Sequence, residues 1–456
     1  MGENDLIMAR RIAEAAAAEG GRAYFVGGFV RDRLMGRDNK DIDIEVHGVP
    51  VERLMRILGA LGEPVLMGAS FGVMGLRHHD LDIAMPRSEK ATGRGHRDFE
   101  VSVDPLLGEE KAAMRRDFTI NAMMEDVLSG EVLDFFGGCE DLKNHCIRHV
   151  SDQSFVEDPL RVFRACQFAA RFDFSVAPET VSLCSRMGLD ALARERVMGE
   201  LEKALRKAEK PSIFFRELRR MDQLGFWFAE ARALIGVPQP PKYHPEGDVW
   251  THTMQVLDEA AALRGEARHP LWFLLAALCH DLGKPGTTEL IDGEYHAYRH
   301  EITGKRCVGS LLDRLTGEVR LKEYVLSMTE LHMAPNMMAG SDARHRTWMK
   351  LFDKSSCPED LLLLAKADFL GCRGPEQSRE EMLRLYAPTE GKLRGLLADY
   401  RELMARPFVM GRDLVAAGME PGPLMAQALD YAHRLRLAGL SKEDQLRQTL
   451  GVYGKT

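Results

Sequence analysis

Asp41 and Asp43 stand two residues apart in a segment, Asp41 to Val46, that reads as a β-strand. Side chains two apart on a strand share a face, so the two carboxylates project side by side while Ile42, Ile44 and Val46 turn toward a core. Carboxylates held that close repel one another unless a divalent cation lies between them. Mg²⁺ takes oxygen ligands and shares them with substrate phosphates. Metal ions held this way stabilise both the attacking and the leaving oxygen of phosphoryl transfer. A lone Asp-x-Asp would be better read as an ordinary strand edge, but two further features accompany this one. Gly27-Gly28 lies between a strand and a helix carrying Arg31 and Asp32, where glycines let backbone N–H groups approach a phosphate. Asp82 lies between Leu81 and Ile83 on a later strand and supplies a third acid.

A second set of chemistry-bearing residues lies far downstream: His252, His280-Asp281, His300, His332 and Asp368. Any one of them alone is more often structural. His280-Asp281 is more telling, because it closes the apolar segment Leu271 to Cys279 and precedes Leu282-Gly283-Lys284-Pro285, a helix stop. Imidazole and carboxylate ligands suit Mn, Fe, Co, Ni or Zn. Such a metal activates water for phosphoester hydrolysis.

Three textures of sequence must position these groups. From Arg22 to about Gly138 short apolar runs alternate with glycines. Strands are expected at Ala23–Val26, Asp41–Val46, Val73–Leu76, Leu81–Ala84 and Val132–Phe136, with helices from Val30 and over Val51–Leu58, which makes a small α/β or α+β domain. From Asp158 to Phe228 the chain turns helical, with Arg161 to Phe172 periodic and Pro178 and Pro211 as punctuation. Pro238, Pro240 and Pro241 mark a linker or rigid turn, and helices resume from Val249. The 456 residues suffice for two to four domains. The net charge of −8 argues against a surface coated for non-specific nucleic-acid binding, although it leaves room for a local basic track. Such a track is a candidate at Arg194, Arg196, Lys203, Arg206, Lys207, Lys210, Arg216, Arg219 and Arg220, where interleaved acids make a solvated mixed-charge helix an equal reading. No run of roughly 18 apolar residues is present, so no membrane partner is expected. The eight scattered cysteines form no Cys-x-x-Cys pair and fit free thiols in a reducing cytoplasm.

Gly27-Gly28-Phe29-Val30-Arg31-Asp32, then Asp41-Ile42-Asp43, then Arg115-Arg116-Asp117-Phe118-Thr119-Ile120-Asn121-Ala122-Met123 resemble the class II tRNA nucleotidyltransferase and poly(A) polymerase family. Asp134-Phe135-Phe136-Gly137-Gly138 with Asp141-Leu142, and Glu157-Asp158-Pro159-Leu160-Arg161, resemble its next motifs. The resemblance runs from about Tyr24 past residue 370. It implies an α+β fold with a small DNA polymerase β-like head, an all-α neck and body, and an all-α HD domain. It also implies Asp41, Asp43 and Asp82 as catalytic acids, with Mg²⁺ on the first two. Nucleotide contacts are implied for Gly27, Gly28, Arg31, Arg116, Asp117, Asn121, Asp158, Arg161 and Arg164. Arg116 suits triphosphate oxygens. Asp117 and Asn121 are implied to bond a ribose hydroxyl, and Asp158 with Arg161 to read the base of CTP or ATP. Where several relatives carry a further arginine, this chain has Gln167. The segment Pro86 to Lys111, with Arg87, Glu89, Arg94, Gly95, His96 and Arg97, resembles the loop that accompanies the switch from C to A addition.

His244-Pro245-Glu246-Gly247-Asp248 with Trp250-Thr251-His252, then His280-Asp281 and Asp368, resemble the HD phosphohydrolase domain attached to some CCA-adding enzymes. That implies a divalent transition metal on His252, His280, Asp281 and Asp368, with His300 and His332 as additional candidates. The expected division is a head over 1–145, a helical neck and body over 146–236, and an HD domain over 237–456. The expected partners are tRNA, CTP and ATP, with no DNA, and the sequence leaves oligomeric state open. Rival readings are a poly(A) polymerase, a partial enzyme adding only CC or only A, and, from another class, an inactive transferase serving as an RNA-binding module for an HD hydrolase.

Overall fold

The structure is a computed structural model that describes residues 2–39, 41–66, 73–91 and 99–454. The chain divides into two compact units, Met1–Trp227 and Phe228–Thr456.

The first unit opens with the helix Gly2–Ala18, whose Met8, Ala9, Ile12, Ala13 and Ala16 bury against a mixed seven-stranded sheet. Across that sheet the strands run Pro64–Leu66, Val73–Leu76, Leu81–Ala84, Ile42–His47, Arg22–Val26, Met124–Asp126 and Val132–Leu133. Ile42, Ile44, Val46, Leu81 and Ile83 alternate into the core, as period-two patterning requires. The strand expected over Val132–Phe136 is shorter, because the Asp134 carboxylate leaves the ladder to accept from the N–H groups of Gly138 and Cys139. Part of the Pro86–Lys111 segment is not a loop but an antiparallel hairpin, Arg87–Ala91 with Phe99–Val103. Arg94, Gly95, His96 and Arg97 lie outside the described residues.

The Asp134-to-Leu142 motif acts as a clamp. Gly137, with φ of 76°, admits the helix Gly138–Lys143. Asp141 then accepts from Thr119 Oγ1 at 2.7 Å and from Arg148 Nε at 3.1 Å, fixing the Thr119–Asn121 turn. The longer helices that follow, Leu160–Phe172, Arg194–Lys207 and Ser212–Arg220, pack through Phe163, Leu201, Leu205, Phe214 and Phe215.

The second unit is mainly helical. Pro270–Cys279 is apolar on all sides and buried on all sides, as a central helix must be. Val249–Leu263, Val319–Leu331 and Pro358–Gly371 pack around it. A hairpin, Thr288–Ile291 with Glu294–Ala297, interrupts the helices before His300–Leu315. The region after Arg373 holds the 27-residue helix Arg379–Ala405, then Gly411–Ala416, Pro423–Arg436 and Lys442–Tyr453. The last three share a separate cluster around Leu414, Ala428 and Ala432.

A Cβ built on Gly138 would lie 2.3 Å from the Thr119 carbonyl oxygen, a backbone atom with little room to retreat. Gly138→Ala is therefore expected to destabilise the first unit by about 1–3 kcal/mol, the usual range for overpacking. Thermal unfolding of the full chain, followed by circular dichroism, measures it.

Candidate functional sites

Strands Ile42–His47 and Leu81–Ala84 run parallel with Asp43 directly opposite Asp82. Asp43 is pushed up to about 6 by burial first and then by the Asp82 charge, against relief from Arg116 and with a further push from Asp41. Asp82 is raised by burial, Asp80 and Asp41. Asp41 is exposed and lies one residue before the strand, because the Asn39 side chain accepts from its backbone N–H at 3.0 Å and forms a turn there. Its charge nevertheless acts on both of the other acids. A carboxylate group crowded enough to resist ionisation is a donor set that a hard dication relieves.

Asp43 and Asp82 open onto a cavity of about 450 Å³ whose lining, which does not include Asp41, also has Glu45, Arg115, Arg116, Asp117, Asp158, Arg161, Arg164 and Arg196. Glycine is required at position 27, where φ is 68° and a Cβ would lie 3.0 Å from Arg116 Nη1 and 3.7 Å from Asp43 Oδ2. Gly28 begins the following helix, and its added Cβ would meet the Arg31 guanidinium at 3.4 Å.

Behind the cavity a buried polar network fixes its wall. Arg164 donates from Nε and Nη2 to Asp117 Oδ2 at 2.8 and 2.6 Å. Asn121 Nδ2 donates to Asp117 Oδ1 at 3.0 Å, and Arg31 Nη1 donates to Asn121 Oδ1 at 2.6 Å. Burial alone would raise Asp117; Arg164, Asn121 and Arg161 overcome it and hold the carboxylate below its usual range. Arg31 is 3% exposed, pairs with Asp32 and sits over the rings of Phe168 and Phe172. Arg31 and Asn121 thus lie behind the lining and bear on the cavity through Asp117.

Arg161 donates to the carbonyls of Ser154 and Arg115 at 2.6 and 2.9 Å. Asp158 is held by Arg196 Nη2 at 2.9 Å rather than by Arg161. Arg196, placed by sequence in a basic RNA track, is therefore a cavity residue. Much of the remaining track is neutralised: Lys203 by Glu200, Arg206 by Glu202, Lys210 by Asp173 and Arg220 by Glu217. Gln167 is buried and does not line the cavity. Sequence reasoning passed over Glu45, which is 2% exposed and stands 3.6 Å from Arg116. Its spacing of two from Asp43 was the available signal.

In the second unit all six predicted residues meet. His252 Nε2 lies 3.0 Å from Asp368 Oδ1 and 3.3 Å from His280 Nε2. Asp281 is central: Oδ2 lies 3.3 Å from His280 Nε2, and Oδ1 lies 3.2 and 3.6 Å from the Nε2 atoms of His300 and His332. Two ligand groups result, His252–His280–Asp368 and Asp281–His300–His332. His280, His300 and His332 each donate from Nδ1 to a backbone carbonyl three residues earlier, at 2.7 Å. A carbonyl only accepts, so Nδ1 carries the proton and Nε2 offers a lone pair to the cluster. Both Asp281 oxygens are buried and accept no hydrogen bond of good geometry. Burial opposes its ionisation, yet Lys284, with Nζ at 2.7 Å, and His280 hold it well below the carboxylate range. Buried carboxylate oxygens and imidazole Nε2 atoms converging at these distances fit a divalent transition metal.

Residues 23–148 match the Poly A polymerase head domain, and residues 249–370 match the HD domain. A Multifunctional CCA protein of Actinobacillus pleuropneumoniae serotype 5b (strain L20) is 38% identical over 379 residues, covering 80% of this chain and 89% of that protein. The chain belongs to the multifunctional CCA protein family. Another member, from Xanthomonas campestris pv. campestris (strain B100), is 36% identical over 442 residues, 94% of this chain and all of its own. The fold is that of a CCA-adding enzyme solved with ATP, at a TM-score of 0.66, 21% identity and coverage of 99% and 94%. The Thermotoga maritima CCA-adding enzyme complexed with tRNA_CCA gives a TM-score of 0.61 at 21% identity, with coverage of 99% and 98%. The expected α+β head followed by helical domains is the family's architecture, and both of its domain types use divalent metals. Among the described residues no helix is long and apolar enough to cross a membrane.

Arg164→Met leaves Asp117 buried without its main counter-charge. The expected cost is about 3 kcal/mol, the low end for breaking a buried pair because Arg164 is partly exposed. The melting temperature of the first unit should fall by roughly 6–12 °C, read by calorimetry.

Proposed function

We propose that this chain builds and repairs the 3′-terminal CCA of tRNA, using CTP and ATP, and that its second unit hydrolyses phosphoesters. The observation that carries the first part is the in-register pair Asp43–Asp82, with Asp41 beside it, facing arginines across one cavity. The tRNA 3′-hydroxyl attacks the α-phosphorus of the nucleotide, and pyrophosphate leaves. Asp41 and Asp43 would hold Mg²⁺, which supplies charge neutralisation at the reacting oxygens. Asp82 completes the acidic face. Arg116, held near Glu45, offers fixed donors to the triphosphate. Asp158 and Arg161 present a hydrogen-bonding edge to the base. Asp117 reaches the ribose side of the cavity, oriented by Asn121 and Arg164.

The second activity rests on the six-residue cluster. His252, His280, Asp281, Asp368, His300 and His332 would hold one or two transition-metal ions, which would supply an activated water. Suitable substrates are 2′,3′-cyclic phosphates and 2′-nucleotides. Transfer is assigned to 1–145, base reading and RNA binding to 146–236, and hydrolysis to 237–456. Eight cysteines, all unpaired, accord with a reducing cytoplasmic setting.

Purified protein, Mg²⁺ and tRNA lacking CCA, given labelled CTP and ATP, should yield incorporation that stops at CCA. Long A tails would assign a poly(A) polymerase instead. Asp41→Ala/Asp43→Ala should lower incorporation by about 10³-fold or more, since loss of metal-borne charge stabilisation costs several kcal/mol. Full activity in that double variant rejects the site. His280→Ala should remove cyclic-phosphate hydrolysis while sparing incorporation.

A further inference from the structure

Three of the four clustered histidines are oriented by backbone carbonyls, and His252 is the exception. Its Nδ1 donates to Glu246 Oε1 at 2.8 Å. Glu246 comes from the segment just before the helix Val249–Leu263, and its side chain is fully buried. The same oxygen accepts from His244 Nδ1 at 2.8 Å. Glu246 Oε2 makes no hydrogen bond. Cys372 Sγ completes the surroundings, 3.7 Å from His244 Nδ1 and 3.9 Å from His252 Nδ1.

A buried carboxylate is costly to place. A carbonyl at the same spot would set the tautomer equally well, as it does for His280, His300 and His332. A carboxylate does more: its full negative charge draws the Nδ1 proton and makes Nε2 a stronger donor toward a cation. His252 Nε2 faces Asp368 Oδ1 at 3.0 Å and His280 Nε2 at 3.3 Å, with Asp281 Oδ2 farther off at 3.7 Å, so the added electron density is delivered chiefly to the His252–His280–Asp368 half.

We propose that Glu246 is a positioning residue for the HD-type metal centre, acting through His252 to make the His252–His280–Asp368 half the tighter of two metal positions. This rests on the metal-site reading above. His244 is the second donor that keeps Glu246 Oε1 in place. The alternative use of these groups, as a separate ion site formed by His244, Glu246, His252 and Cys372, would require the Nδ1 of His252 to give up its proton to an ion. The two 2.8 Å contacts to a single oxygen are hydrogen-bond distances, and they favour the positioning role.

The test is a metal titration of the full-length apo-protein with Mn²⁺ and Zn²⁺, using a competing chelator and elemental analysis. Wild type should bind up to two ions in the second unit with unequal affinities. Glu246→Gln keeps the shape and removes the charge. It should weaken the tighter ion by about 10–100-fold and leave the weaker one unchanged. Cyclic-phosphate hydrolysis should fall at low metal and recover at high metal. Incorporation of CTP and ATP into tRNA, and the melting temperature of the apo-protein, should match wild type; a merely structural role would instead lower the melting temperature and allow no recovery by metal. Cys372→Ser should bind as wild type does. Equal metal affinity in Glu246→Gln and wild type overturns the inference while sparing the metal-site reading. A further bound ion that disappears in Cys372→Ser also overturns it. A wild-type chain whose metal uptake is unchanged by His280→Ala overturns both.

Discussion

The first unit depends on electrostatic crowding that the sheet imposes. Parallel pairing of Ile42–His47 with Leu81–Ala84 leaves Asp43 and Asp82 no choice but to face one another. The core residues on the other side of each strand, Ile42, Ile44, Leu81 and Ile83, lock the register, since a slip of one residue would turn every acid inward. Hydrophobic burial therefore holds together charges that would separate if free. Asp43 is pushed up to about 6, by burial first and by the Asp82 charge second. The arginines opposite complete the arrangement: a face that attracts a cation looks across a cavity at a face that attracts phosphate.

That opposing face is itself held by charge, not by packing alone. Asp117 lies at the junction of the Thr119–Asn121 turn and the helix Leu160–Phe172, and Arg164 reaches from the helix to meet it. The turn in turn leans on Asp141 and Gly138. Residues from three separated stretches of sequence thus set one wall. Within the run from Arg115 to Met123, Arg116 and Asp117 face the cavity, Phe118 and Ile120 are in the core, and Asn121 bonds back to Asp117.

Strand alternation and glycine placement made the acidic face legible, because period two and a positive φ are local properties. Asp43 opposite Asp82 could be anticipated as a set, though not as a register. The partners of the arginines could not be read. Asp158 taking Arg196, 38 residues on, instead of Arg161, three residues on, is a tertiary choice that helix packing makes. Arg31 is the sharper case. The resemblance implied a nucleotide contact for it, and nothing in the sequence signalled that Phe168 and Phe172 enclose it or that Asn121 takes its hydrogen bond. The opening helix Gly2–Ala18 was missed since its alanine-rich face carries a weak apolar signal. In the second unit the six candidate ligands were named by type, but the sharing of Asp281 between two histidine pairs appears only when its two oxygens are seen to face opposite ways.

The two sites follow opposite rules of exposure, and the chemistry explains the contrast. A transferase must admit and release a large anionic substrate, so its cavity is open, and its arginines remain partly exposed, Arg116 at 24% and Arg164 at 32%. A metal cluster gains from exclusion of water, because imidazole and carboxylate lone pairs left to solvent would be spent on hydrogen bonds. The candidate ligands accordingly lie at 0–6% exposure, with Asp368 at 16% the most accessible. Burial of that depth is tolerable only while every imidazole has a partner for its far nitrogen. Three backbone carbonyls and one carboxylate provide those partners, so the structure outside the ligand set, rather than the ligands themselves, decides how firmly the cluster can hold a cation.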